Sequence, residues 1–229
     1  MTECACIKET VYSPHCLVVV QMSCKLHNPF TAVMAGPTGS GKSKGVFRLI
    51  NHAEKIIEPP PTRIWYCYGE FQSTFNNYPR VHFHERLPEL SDRVFDGQES
   101  TLIILDDLMS ETNQLDANMF TKILHHRNVS VVYLTQNVFD KNKYARMISL
   151  NAHYLVLFKN PRDASQFAAL ARQMYPNMSK FAIKAYKDAT SAPYGYLRID
   201  LKSEQVERCR LRTNVFPGEN QYVYVSRDK

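Results

Sequence analysis

No apolar run in this chain approaches the roughly 20 residues that cross a bilayer as a helix, and its first residues carry neither the basic stretch nor the long apolar core of a secretion signal. The expectation is a soluble, intracellular protein with no membrane partner. Internal repeats and low-complexity tracts are missing as well, which sets aside solenoids and disordered linkers. Charge of one sign is nowhere dominant. A formal charge of +6 and a pI near 8.9 favour a polyanionic partner without requiring one. The six cysteines are Cys4, Cys6, Cys16, Cys24, Cys67 and Cys209. Even with His15 and His27 beside them, the early four match no common zinc spacing, so free thiols of a reducing compartment are the expectation.

What is present is one sizeable core. A chain of 229 residues that is 44% hydrophobic can bury it, and a single domain follows over 27–229, with 1–26 as an amino-terminal arm or edge appendage. The chain is organised around residues 30–43. Residues 31–35, T-A-V-M-A, read as a short buried strand that breaks into Gly36-Pro37-Thr38-Gly39-Ser40-Gly41-Lys42-Ser43. That octapeptide satisfies G-x-x-x-x-G-K-[ST], the Walker A pattern, at every fixed position. Glycines let successive backbone N–H groups close on a pyrophosphate, and the helix expected over 44–52 adds its positive end. Lys42 would reach the β- and γ-phosphates, and the Ser43 hydroxyl would hold Mg²⁺. ATP and Mg²⁺ are therefore the expected cofactors.

A second apolar run, 101–105, ends in Asp106-Asp107, as the Walker B half of such a site should. Asp106 is assigned to the metal and Asp107 to the base that activates water; the other reading of Asp107 is a helix N-cap. The strand 129–134 runs into Thr135-Gln136-Asn137, and Gln136 is the candidate γ-phosphate sensor, with helix capping as the alternative that suits Asn137 better. Strands are further expected over 63–68, 81–85 and 154–158, and helices over 114–126, 144–152, 160–175 and 180–190. Residues 56–62, with three prolines, read as an extended connector, and 16–20 as an edge strand or a free arm. His82 and His84 share one face of a strand, the ordinary sign of a solvated face. Late strands over 194–201, 210–215 and 222–225, with a turn at Pro217-Gly218, extend the sheet. The fold class is α/β: a P-loop NTPase with a mainly parallel sheet, the sensor strand between the P-loop and Walker B strands, helices on both faces and carboxyl-terminal β additions.

The loop 36–43, the acids 106–107 and the strand ending Y-L-T-Q-N together resemble the FtsK/HerA superfamily of P-loop motor ATPases. The phrases H-N-P-F-T, F-K-N-P-R-D-A-S-Q-F and A-Y-K-D-A-T-S-A-P-Y-G-Y-L look like its genome-packaging branch in poxviruses, other large DNA viruses and Polinton or adintovirus-like elements. The resemblance spans about residues 27–220. It implies a ring oligomer that hydrolyses ATP to drive double-stranded DNA into a capsid, with capsid proteins as partners and the host nucleus or a viral factory as location. It also implies that Arg127, just before the sensor strand, reaches into a neighbour's site; a cation closing a helix end is the other reading. Many relatives carry Glu where this chain has Asp107, and Glu70, also at a strand end, is a candidate second carboxylate or DNA-responsive switch. Lys141-Asn142-Lys143, Arg146, Lys180, Lys184 and Lys187 are candidates for sequence-independent phosphate contacts. A P-loop kinase and a non-hydrolysing nucleotide-gated adaptor are the competing functions.

Overall fold

Alternation along each central strand divides the core into two layers. In β3 (Thr31–Ala35), Val33 and Ala35 face one side and Ala32 and Met34 the other, and all four are buried. β7 (Thr101–Asp106) and β8 (Val129–Thr135) repeat the pattern, as expected of parallel strands covered on both faces. The computed structural model describes residues 17–19, 25–86, 97–108, 127–138, 143–162 and 164–226. The helix expected over 114–126, Lys141, Asn142 and the four early cysteines lie outside them.

The remaining strands are β1 (Leu17–Val19), β2 (Leu26–His27), β4 (Ile57–Glu58), β5 (Arg63–Tyr68), β6 (Val81–Glu85), β9 (Tyr154–Phe158), β10 (Tyr196–Asp200), β11 (Leu211–Thr213) and β12 (Tyr222–Tyr224). Among the described residues ten strands form one sheet in the order β1-β12-β11-β10-β9-β3-β8-β7-β5-β6. From β6 to β9 every pairing is parallel, and from β9 to β1 every pairing is antiparallel. The sensor strand β8 does lie between β3 and β7, with Ala35 level with Thr135 and Leu134 level with Asp106. The apolar run at 16–20 takes the edge-strand form, β1 pairing with β12.

One layer holds α1 (Lys42–Asn51) and α2 (Ala53–Ile56), through Val46, Phe47, Leu49, Ala53 and Ile56. The other holds α3 (Lys143–Leu150), α4 (Ala164–Met174) and α5 (Ser179–Ala189), through Ile148, Phe167, Ala171, Ala182 and Ala185. Burying one such aliphatic or aromatic side chain contributes roughly 1.5–3 kcal/mol, so each layer is held mainly by these stripes. Several local features differ from the expectation. The strand expected over 194–201 is confined to β10, and Tyr194 lies in the turn before it with φ 60°. The proline-rich connector contains β4, which pairs in parallel with β2 as a separate two-stranded ribbon. The helix expected from residue 160 is helical only over Ala164–Met174, after the bend at 161–162. His82 and His84 are solvent-exposed, their rings lying 5.4 and 6.0 Å from the Trp65 ring.

The amino edge of the parallel strands is closed by its own polar groups. The Asn28 amide donates to the Ser100 hydroxyl and to Asn128 Oδ1 (3.3 Å), and its oxygen accepts from the Ser130 hydroxyl. Ser130 Oγ in turn accepts the Phe30 N–H at 3.0 Å. These bonds lock the starts of β3, β7 and β8 into one register.

Candidate functional site

Because β3, β8, β7 and β5 are parallel, their carboxyl ends meet along one edge of the sheet. There Thr38, Gly39, Gly41, Lys42, Ser43, Asp106, Asp107 and Gln136 line an open cleft of about 720 Å³. Ligands of open α/β sheets sit at this edge.

The loop is shaped by close approach and by two glycines of positive φ, Gly39 and Gly41. A Cβ on Gly36 would meet Ser40 Oγ at 2.7 Å and Phe158 Cβ at 2.8 Å, so no side chain fits there. Gly41 has φ 109°, a conformation other residues rarely adopt, and it serves as the N-cap from which α1 begins. The Gly36 N–H donates to Thr135 O at 3.2 Å, tying the loop to the sensor strand. Ser40 N donates to Pro37 O at 3.2 Å and tightens the turn between them. Lys42 Nζ lies inside this curl, donating to Gly36 O (2.6 Å) and Pro37 O (3.2 Å). Burial pulls the Lys42 pKa below its ordinary value, and the negative charges of Asp107 and Asp106 oppose that pull.

Asp106 continues the alternation of β7 and so faces the same layer as Tyr66 of β5 and helix α1. Tyr66, wholly buried, donates its hydroxyl to Asp106 Oδ2 at 2.6 Å. Burial raises the Asp106 pKa above the usual carboxylate value; Tyr66 lowers it, Asp107 raises it and Lys42 lowers it. Burial first, then the Asp106 charge, pushes the Tyr66 phenol far above its usual range, so Tyr66 stays a donor.

On a regular strand Asp107 would point to the opposite face. Its φ of 56° breaks the alternation instead, so two consecutive carboxylates line one cleft. Asp tolerates this left-handed conformation better than most residues. From the adjacent strand Gln136 Nε2 donates to Asp107 Oδ2 at 3.3 Å. The predicted acid and sensor thus meet across the gap between β7 and β8. Asn137 stays local, its N–H donating to Thr135 Oγ1 at 3.3 Å.

Arg127 does not join this cluster. It precedes β8 at the amino edge of the sheet, beside Gly97, and the whole length of β8, about 20 Å, separates it from Gln136. Glu70 does line the cleft, with Tyr68, Gly69 and Gln72. Three participants carry no motif: Tyr66 beneath Asp106, and Lys44 and Tyr194 at the cleft wall. Tyr66 gives no local signal, since its place on the Asp106 side of the sheet follows from the β5–β7 register.

The chemistry of the donors suits Mg²⁺. The Ser43 hydroxyl and the Asp106 carboxylate are hard oxygen donors on one cleft, and Mg²⁺ sites commonly use one or two carboxylates with phosphate oxygens and water. Among the described residues no three His, Cys, Asp or Glu side chains gather as an all-protein cage.

No protein-family model matches the chain, and no curated protein matches it. Solved structures do. The genome packaging NTPase B204 from Sulfolobus turreted icosahedral virus 2 in complex with AMP superposes with a TM-score of 0.51 at 13% identity, covering 77% of this chain and 95% of that one. The same protein with ATP-γS gives 0.50 at 14% identity, over 77% and 94%. The cytoplasmic domain of the type VII secretion ATPase EccC from Thermomonospora curvata gives 0.49 at 15%, over 86% of this chain and 25% of that one. The B204 likeness is one of fold, that of an α/β P-loop NTPase. No described helix is long and apolar enough to cross a membrane.

Proposed function

We propose that this chain is an ATP-hydrolysing motor subunit that drives double-stranded DNA, as a ring of copies, into a viral or mobile-element capsid. The observation that carries the reading is the convergence of Lys42, Asp106, Asp107 and Gln136 on one cleft at the carboxyl edge. The overlap in fold with a genome packaging NTPase solved with AMP and ATP-γS supports it.

In this mechanism the loop amides and Lys42 meet the triphosphate, and Ser43 and Asp106 would hold Mg²⁺, which when bound would offset charge on the phosphate oxygens. Gln136 positions a water beside Asp107. The water oxygen attacks the γ-phosphorus, its proton passes to Asp107, and the bond to the β–γ bridging oxygen breaks to leave ADP. Tyr66 keeps Asp106 aimed. Arg127, remote from its own cleft, serves a neighbouring copy as the charge-stabilising arginine. Exposed Lys180, Lys184 and Lys187 on α5, with Arg146 on α3, offer phosphate contacts that carry no base information.

The test is steady-state ATP hydrolysis with and without long double-stranded DNA, beside Lys42→Ala and Asp107→Asn. Stimulation by DNA in the parent, absent from both variants and falling steeply with salt, is the expected result. Turnover indifferent to DNA but dependent on a phosphoacceptor would replace the motor with a kinase.

A further inference from the structure

Tyr194 is an outlier by three independent observations. It has φ 60°, a left-handed backbone that a bulky aromatic residue rarely adopts, yet its side chain is 55% exposed. Its ring lies against the P-loop: a Cβ on Gly41 would meet Tyr194 Cδ1 at 2.9 Å. Lys44 of the first helical turn places its ammonium 4.5 Å from the centre of that ring. Core burial explains none of this.

The position is held from both sides. After Tyr194, Gly195 has no room for a side chain, since a Cβ would meet Ala189 O at 2.5 Å, and its N–H donates to Ala192 O at 3.1 Å. Tyr196 is buried, its hydroxyl accepting the Val215 N–H at 3.0 Å. The short loop from α5 to β10 therefore presents a single aromatic ring at a defined place, on a backbone pinned by its neighbours.

That place is fixed by the order of the sheet. The acids and Gln136 lie on the β8–β7 side of β3, whereas Tyr194 leads into β10 on the β9 side. A triphosphate whose reacting end meets Asp107 and Gln136 leaves its nucleoside on the opposite side of the loop. We infer that Tyr194 is the stacking platform for the base of the bound nucleotide, with Lys44 beside it as a cation able to meet the phosphate nearest the ribose. This rests on the P-loop reading and adds a base subsite to it. Aromatic stacking tolerates any base because each has a π-face.

Equilibrium binding to the full chain separates the two claims. ATP and inorganic tripolyphosphate, which has no base, are titrated into the parent, Lys42→Ala, Tyr194→Ala and Tyr194→Phe, with thermal melting to confirm folding. Loss of both ligands in Lys42→Ala establishes the P-loop site by itself. The stacking platform predicts that Tyr194→Ala weakens ATP about tenfold and leaves tripolyphosphate within twofold, while Tyr194→Phe binds ATP as the parent does. Equal weakening of both ligands in Tyr194→Ala would show that the ring only shapes the Gly41 turn, and an unchanged ATP affinity would leave the base elsewhere; either result overturns the proposal. A parent that binds neither ligand overturns it together with the P-loop reading.

Discussion

The two ends of the parallel strands use polar residues in opposite ways. At the amino edge the side chains of Asn28, Ser100, Asn128 and Ser130 bond to one another, with Asn28 at the centre. At the carboxyl edge Lys42, Asp106, Asp107 and Gln136 share one open cleft, and each keeps hydrogen-bonding capacity beyond the bonds it makes within the protein. The first arrangement is structural, and its chemistry is closed. The second concentrates two carboxylates and an ammonium at the end of a helix, an arrangement that favours a bound phosphate and cation over the folded chain alone.

Mutations that act on only one edge sharpen this contrast. Lys42→Ala should have the largest effect, a loss of ATP turnover of about 10³-fold with a melting temperature within a few degrees of the parent, because it removes the ammonium of the loop and its two bonds to loop carbonyls but no core packing. Asn28→Ala should do the reverse. It leaves polar partners at the starts of β7 and β8 unsatisfied and should cost about 3 kcal/mol in denaturant unfolding, with turnover per folded molecule unchanged.

Asp106→Asn should lower turnover about 10²-fold yet stabilise the metal-free fold by about 1 kcal/mol, a rise of a few degrees in melting temperature. The sign follows from the raised pKa, caused first by burial. The folded state holds the Asp106 proton more tightly than the unfolded one, so this contribution to stability is complete below the ordinary Asp range and is lost as pH rises through the folded value. At neutral pH the charge is a cost that Asn removes. Melting curves taken towards acid should show the gain of Asp106→Asn shrinking to nothing as the parent's Asp106 becomes protonated. Tyr66→Phe should have the smallest effect. It deletes one hydrogen bond while keeping the ring packed against Phe47 and Phe75, and turnover should fall only several-fold.

Much of the carboxyl edge is legible in the sequence alone. Strands over 63–68 and 81–85 have the expected bounds, and Asp106, Asp107 and Gln136 can be placed because each follows a continuous apolar run. A buried parallel strand and the polar residue that ends it are both local signals. The amino edge is not legible in that way. Asn28 meets Ser100 and Ser130 only because β3, β8 and β7 are neighbours, a fact of strand order that no local window contains. Tyr66 is hidden for the same reason: in R-I-W-Y-C-Y it reads as one more strand-forming aromatic, and its partner is on another strand. The left-handed turn at Asp107 is likewise a property of the folded backbone, and it alone brings the second carboxylate round to the first.

The central claim is that Asp107 and Gln136 activate water on a nucleotide held by the loop. Its most direct test is single-turnover hydrolysis of Mg²⁺-ATP measured beside equilibrium ATP binding in the parent and in Asp107→Asn. Binding within a few-fold of the parent and hydrolysis slower by at least about 10²-fold are expected of Asp107→Asn. Hydrolysis by Asp107→Asn at the parent rate would contradict that claim and move the base to another carboxylate of the cleft, with Glu70 the first to examine.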